Sequence, residues 1–549
     1  MIFLETVSKI FASDGNPKEV MSFVDGRWVR GDGAQETFVV NPATEEKLAR
    51  VHNVSFPQIV TAFKSAKIAQ HYWHYSVGEQ YKERVFRRVA AYLEEIRGPL
   101  SWVIIQEAGK LWKWAEAEVQ ETIDTVWHYH GELSRVYGKT SRCQMPNKRS
   151  LTLREPYGVI LGITPWNFPL AVPSWKIFAA LAGGNAIVVK DAEQTPTTLS
   201  ILCSIVRRAL REVLGNAVAE KLGGLFQVLH GSGEVGKIAL QLGDYDKVMF
   251  TGGTETGSII GEIAGRRRKP VSLELGGHAA IILMDDFDLD RAVTEAINAN
   301  CGDSGQRCVS LRAVFAHERI ASKFVTLYMK RALELRIGNP SSHDTFMGPL
   351  ISAEQLHRVE GAVRKAQEDG GSLVFGGNGP LEQVFPNADP DTWRRGYYYP
   401  PTLIETDRIE NHAMQNEIFG PVLCVMPFSG ANPEGAIFEA VRMVNDSLYG
   451  LSNAVLTNQL DLAMKVMGLI KTGILYIGRG TTGAEVGKPF GGVKDSGHGR
   501  EGCGIEEVTY ERQVYIDFHG KPRMAQAGAE EKVLQLLQDS RETGCSVFQ

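Results

Sequence analysis

The 549-residue sequence contains no stretch approaching the roughly 18 consecutive apolar residues that cross a bilayer, so no membrane-spanning helix is expected. It has no C-x-x-C pair, and its seven cysteines are an odd number, which argues against a disulfide framework and against a structural zinc site. Strong net charge is also missing, and a balance of −5 gives no electrostatic reason to expect nucleic acid as a partner. The first residues, Met1-Ile2-Phe3-Leu4-Glu5, carry acid where a secretory leader carries base, and no small-residue cleavage site follows. Internal repeats and low-complexity segments are absent. These absences leave a cytoplasmic protein of ordinary globular composition, without metal or membrane, and its length implies about two to four domains.

Residues 1 to about 20 read as a loose arm. Phe23 to Val29 alternate around Asp25-Gly26, a hairpin signal. From about 56 to 135 the apolar period becomes helical and the segment is rich in aromatics, most of which suit helix packing. From Tyr157 onward, short apolar runs alternate with helices. Strands are expected at Val159 to Ile163, Asn185 to Lys190, Leu225 to Leu229 and Lys247 to Thr251. Such alternation implies an α/β fold with a doubly wound parallel sheet, whose ligands bind at the carboxyl ends of the strands. The glycines Gly231, Gly233 and Gly236 follow one strand and open a helix, a dinucleotide signal that is weak alone because the acidic residue expected about 20 positions later is not clearly placed, Asp244 and Asp246 falling short of it. A second sheet is expected from Ala280, and a second α/β lobe from about 320 to 470.

Two residues stand out chemically. Cys308 follows Gly305-Gln306-Arg307, where a glycine permits a tight turn and an arginine is expected to favour the thiolate over the thiol, whose ordinary pKa is about 8.5. The alternative is a small buried hydrophobe. Glu274 sits inside the apolar run Val271-Ser272-Leu273-Glu274-Leu275-Gly276-Gly277. Buried, it would have a raised pKa suited to a general base; otherwise it is a strand-end glutamate facing solvent.

Taken together the motifs resemble the aldehyde dehydrogenase superfamily from about residue 20 to 520. The matching pieces are Pro165-Trp166-Asn167-Phe168-Pro169, Lys190 with Glu193-Gln194-Thr195-Pro196, Phe250-Thr251-Gly252, Leu273-Glu274-Leu275-Gly276-Gly277, Gly305-Gln306-Arg307-Cys308, Glu417-Ile418-Phe419-Gly420-Pro421 and Pro489-Phe490-Gly491-Gly492. The resemblance implies a dinucleotide-binding domain of residues 1–140 and 158–275 and a catalytic domain of 276–483. It also implies a small β oligomerisation segment of 141–157 and 508–519, and a tail of 520–549. Cys308 is then the nucleophile, Asn167 the oxyanion donor and Glu274 the base that activates water. Trp166, Lys190, Glu193, Gly231, Gly252, Gly253, Gly276, Glu417 and Phe419 are expected to hold NAD, with NADP less favoured because Glu193 matches an adenosine-ribose contact. Gly253 departs from the hydroxyl that many members carry there.

Glu121, Arg307, Gly483 and Ala484 resemble the branch that oxidises amino-acid semialdehydes, in which both charges of a zwitterion are gripped; Trp175 is expected in the same pocket. The alternative is an apolar aliphatic or aromatic aldehyde, which the aromatic helix around Trp127 would suit. A homodimer or homotetramer is implied, with the tail expected either to dock on a neighbour through Val533, Leu534, Leu536 and Leu537 or to be disordered. Two further readings remain beside these. One is a non-catalytic protein that keeps the fold, and the other a cysteine hydrolase without redox cofactor, which would leave Lys190, Glu193, Glu417 and Phe419 without a purpose.

Overall fold

Five of the apolar runs become the parallel centre of one sheet: Val271–Glu274, Lys247–Thr251, Val159–Ile163, Ala186–Lys190 and Phe226–Leu229, in that spatial order. Helices cover both faces, so each strand can be apolar along its whole length instead of alternating. An antiparallel strand closes each side: Gly497–His498 beside Val271–Glu274, and Ser22–Val24 beside Phe226–Leu229. The outermost hairpin turns through Asp25 and Gly26, both left-handed (φ 48° and 76°), as an Asp-Gly pair allows. Strand order reverses between the paired neighbours Val159–Ile163 and Lys247–Thr251. At that reversal the loops leave the carboxyl edge in opposite directions and open a crevice. The loops are Thr164 to Asn167 and Gly252-Gly253.

The computed structural model describes residues 18–378, 385, 387 and 395–518. The expected tail with Val533, Leu534, Leu536 and Leu537, and residues 1–17 of the expected arm, lie outside the described residues. Within the arm, Lys18–Val20 is not loose: it pairs in parallel with Lys47–His52, and Val20 packs on the small cluster of Val39, Leu48, Ala49 and Val51. The helical stretch is realised as Phe56–Ser76, Glu79–Glu95, Arg97–Ala108 and Trp112–Glu132. Trp73 and Tyr129 are fully buried there, and the Trp73 indole donates to the Leu181 carbonyl at 2.9 Å. Among the described residues no helix is long and apolar enough to cross a membrane.

A second sheet of seven strands runs in the order Ser372–Phe375, Thr402–Glu405, Val422–Phe428, Leu311–His317, Ala279–Leu283, Ser452–Leu456 and Ile474–Ile477. All its pairings are parallel except the first. Asp288 caps the helix Leu289–Cys301 by accepting from the Arg291 N–H at 2.7 Å, and that helix leads the chain to Cys308. The segments Thr140–Arg142, Lys148–Pro156 and Thr509–Asp517 form a separate three-stranded antiparallel sheet. Its exposed side chains include Leu153, Tyr510, Tyr515 and Ile516.

Candidate active site

The carboxyl edge of the first sheet meets the amino edge of the second, and a cavity of about 610 Å³ lies between them. The first sheet contributes Trp166, Asn167, Gly252, Gly253 and Glu274 to its lining. The second contributes Cys308, Val309, Glu417 and Phe419 from loops that precede its strands. Glu121, Trp175, Arg307, Gly276, Gly483 and Ala484 complete the set expected from sequence. Lys190, Glu193 and Gly231 are not in this lining. They stand farther along the same carboxyl edge, where Lys190 ends its strand 3.7 Å from Glu193 and Gly231 follows Phe226–Leu229.

The loop before Cys308 is bent by three successive left-handed residues, Asp303 (φ 56°), Ser304 (φ 55°) and Gly305 (φ 71°). Only glycine fits the third: a Cβ on Gly305 would lie 2.2 Å from the Gly420 carbonyl oxygen. Asn167 reaches across from the first sheet and donates its side-chain N–H to the Gln306 carbonyl at 2.9 Å. The amide nitrogen is thereby fixed near the thiol, with a second hydrogen left to donate.

From sequence, either the neighbouring Arg307 cation or backbone N–H groups could favour the Cys308 thiolate, and the structure turns the Arg307 charge aside. The Arg307 guanidinium stacks 4.1 Å from the Trp114 ring, and its Nε lies 3.6 Å from Asp303. Burial pushes the thiol up to about 12 and the carboxylates Glu417 and Glu274 push in the same direction, while the Cys308 backbone N–H and, after it, the Arg312 cation oppose them. Arg312 is buried and bonds the carbonyls of Gly420, Gly305 and Arg307 at 2.9, 2.7 and 3.1 Å.

Glu274 is 2% exposed, and its carboxylate oxygens accept no hydrogen bond from the described residues. Burial raises its pKa well above the ordinary carboxylate range, and Glu501 adds to the effect, whereas Lys176 and Arg500 oppose it. Lys176 is held 2.5 Å from Glu501 and donates to the Thr251 hydroxyl at 2.6 Å. A buried carboxylate with a raised affinity for protons, standing in the same cavity as a thiol, has the character of a general base.

Sequence reading missed Arg312 and Lys176, although both carry the signal that singled out Glu274: one charge inside an apolar run. The runs are Leu311–His317 and Ala171–Ala182, buried throughout. Glu501 has no such local signal, since its partner is 325 positions away.

On the cofactor side, Trp166 and Phe419 meet edge to face with ring centroids 5.5 Å apart. Glu417 accepts from the Gly277 N–H at 3.0 Å, and burial lifts its carboxyl to about 7. A Cβ on Gly276 would lie 2.3 Å from a Glu417 carboxylate oxygen and would push that side chain aside, whereas a Cβ at Gly253 would meet none of the described residues within 4 Å. Gly253 is the N-cap of the helix Thr254–Arg266, whose first N–H groups offer the anion site that a dinucleotide diphosphate requires. The residues present therefore fit a nicotinamide dinucleotide.

At the other end of the cavity stand Trp114, Phe168, Trp175 and Phe490, together with Glu121 and Arg307. Trp127, expected in an apolar pocket, is instead 47% exposed and absent from the lining; it lies on the outward face of its helix. Glu121 is half-buried, and burial followed by the nearby Glu118 raises its carboxyl to about 7 against the pull of Lys110 and Arg307. Lys110, also missed in the sequence, bridges Glu118 at 2.6 Å and Asp303 at 3.7 Å beneath the Phe168 ring.

This fold and cavity define an oxidoreductase of the nicotinamide-dependent α/β class. Residues 28–514 match the model of the aldehyde dehydrogenase family, and the chain belongs to that family, whose reaction is NAD(P)-dependent aldehyde oxidation. Its structure is similar to betaine aldehyde dehydrogenase of Staphylococcus aureus solved with NAD+, at 28% identity and a TM-score of 0.84 over 92% of this chain and 96% of that one. It is similar to PnpE solved with nicotinamide adenine dinucleotide, at 29% identity and a TM-score of 0.84 over 91% and 98%. It is also similar to 3,6-anhydro-L-galactose dehydrogenase solved with NADP, at 27% identity and a TM-score of 0.82 over 91% and 100%.

Proposed function

We propose that the chain oxidises an amino-acid-derived semialdehyde to its acid, using Cys308 as nucleophile, Asn167 as oxyanion donor and Glu274 as base. The supporting observation is that one cavity holds all three beside Glu121, Arg307, Gly483 and Ala484. Cys308, as the thiolate left once its proton passes to water, adds to the aldehyde carbon while Asn167 and the Cys308 N–H receive the developing oxyanion. A nicotinamide held beside Trp166, Glu417 and Phe419 would supply the acceptor for the hydride that this carbon must lose. Glu274 then takes a proton from the water that cleaves the Cys308 thioester. At the distal end, Glu121 would pair with the substrate ammonium, and Arg307 with the backbone N–H groups of Gly483 and Ala484 would hold its carboxylate.

The aromatic wall of Trp114, Phe168, Trp175 and Phe490, and the stacking of Arg307 on Trp114, favour a second reading, an apolar aldehyde. A series of semialdehydes, aliphatic and aromatic aldehydes assayed with NAD separates the two. For an ammonium-bearing substrate, KM should fall as pH rises through about 7, because Glu121 then loses its proton and gains charge; a neutral aldehyde should show no such trend. A kcat/KM favouring neutral aldehydes at every pH would overturn the semialdehyde assignment.

Lys190 and Glu193 would hold the adenosine ribose, and Glu193 would disfavour a 2′-phosphate. At about 4 Å and an effective dielectric near 20, two like charges repel by on the order of 4 kcal/mol before screening. Glu193 is partly exposed and lies 3.7 Å from Lys190. Half the repulsion still leaves NAD preferred by more than about tenfold. The check is kcat/KM for both cofactors in the wild type and in Glu193→Ser: equal efficiencies in the wild type, or no gain for NADP in the variant, would remove Glu193 from this role.

The exposed apolar side chains of the three-stranded sheet would pack against another copy of the chain. A dimer or dimer of dimers is expected in sedimentation at micromolar concentration, and a monomer there would contradict it.

A further inference from the structure

The loop that carries the thiol is held by its carbonyl groups, and different elements hold different ones. Those of Gly305 and Arg307 accept from Arg312, and that of Gln306 accepts from Asn167. The carbonyl of Val309, directly after Cys308, accepts from the Thr481 hydroxyl at 2.8 Å. Thr481 is fully buried and lies behind the cavity wall, whereas Val309, Thr482, Gly483 and Ala484 form that wall.

The Thr481 segment is itself fixed on both sides. The Ser452 hydroxyl donates to the Thr481 carbonyl at 2.7 Å, and the Gly480 N–H donates to Glu295 at 2.8 Å. Arg479 donates to the Thr482 carbonyl at 3.0 Å. Its guanidinium fills the space beside Gly483, where a Cβ would lie 2.3 Å from Nη2. One hydroxyl thus joins a rigid loop at the distal end of the cavity to the loop bearing the nucleophile.

We propose that Thr481 is a positioning residue: its hydroxyl sets the placement of Cys308 relative to the 482–484 wall, and through it the rate of the chemical step. The Val309 carbonyl is half-buried, and losing its donor costs it a hydrogen bond, so the Val309 segment would shift to find another donor. A displacement of about 1 Å at a reacting atom can cost about a hundredfold in rate. The proposal rests on Cys308 being the nucleophile.

The test compares Thr481→Val, which keeps the shape and removes the donor, with Thr481→Ser, which keeps the donor. Propanal serves as a short aldehyde, and NAD affinity is measured by titration. In Thr481→Val, kcat should fall by about tenfold or more while KM for propanal and the NAD dissociation constant stay within about threefold. Thr481→Ser should recover kcat to within about threefold of wild type. A Thr481→Val kcat within about twofold of wild type, or equal losses in the Val and Ser variants, would overturn the proposal. Cys308→Ala measured alongside separates the two ideas: residual turnover near wild type would sink the nucleophile assignment itself. Should Thr481→Val not fold, Ser452→Ala releases the other tie on Thr481. It should lower kcat by about threefold at unchanged KM, and an unchanged kcat would again overturn the proposal.

Discussion

Replacing Cys308 by alanine is expected to lower aldehyde oxidation by at least about 10⁴-fold while NAD still binds, because removal of a nucleophile leaves only binding and oxyanion stabilisation. The surroundings of the thiol make a second reading possible in the unmodified protein. With burial and two carboxylates holding it at about 12, little thiolate exists at neutral pH before ligands bind. Alkylation of Cys308 by iodoacetamide in the cofactor-free protein should therefore rise about tenfold per pH unit between pH 7 and 10. A variant that keeps near wild-type turnover would remove Cys308 from the mechanism. An alkylation rate flat over that range would show that the thiol is already ionised and that Arg312 outweighs burial.

Glu274→Gln is expected to separate the two halves of the reaction. The thioester should form at close to the wild-type rate and give a burst of reduced cofactor, after which turnover should be slower by about 10²- to 10⁴-fold. Since burial and Glu501 raise the pKa of Glu274, the group is largely protonated at the pH where an ordinary carboxylate is charged. Wild-type deacylation should accordingly rise with pH as that proton is lost, and the variant should lack the rise.

Linkage has the same origin. A carboxyl with a raised folded-state pKa costs nothing below its ordinary value and destabilises the fold increasingly as pH climbs toward the raised one. The glutamine variant should thus be no less stable than wild type at pH 8, which separates lost chemistry from lost structure in a thermal melt. Wild-type steady-state deacylation in Glu274→Gln would exclude it as the base.

The alternation of apolar runs and helices from Tyr157 was enough to give the parallel sheet, because strands buried on both faces must be continuously apolar. Local chemistry likewise marked Asp25-Gly26 as a turn and Glu274 as an anomaly within its run. Three things lay outside its reach. Gly497–His498 joins the edge of a sheet whose other strands end more than 200 positions earlier, and two residues carry no strand signal. The partner of Lys176 is 325 positions away, so neither residue announces the other. The direction of a side chain is invisible in a motif: adjacency placed Arg307 on the Cys308 thiol, but the left-handed turn at Asp303-Ser304-Gly305 and the Trp114 ring turn it aside and leave Arg312 as the opposing cation. The sequence by itself determined the elements and most of the cavity's residues, because periodicity and short motifs are local properties. Only the tertiary structure decided which charges face the thiol, because burial and distance, not order along the chain, set those interactions.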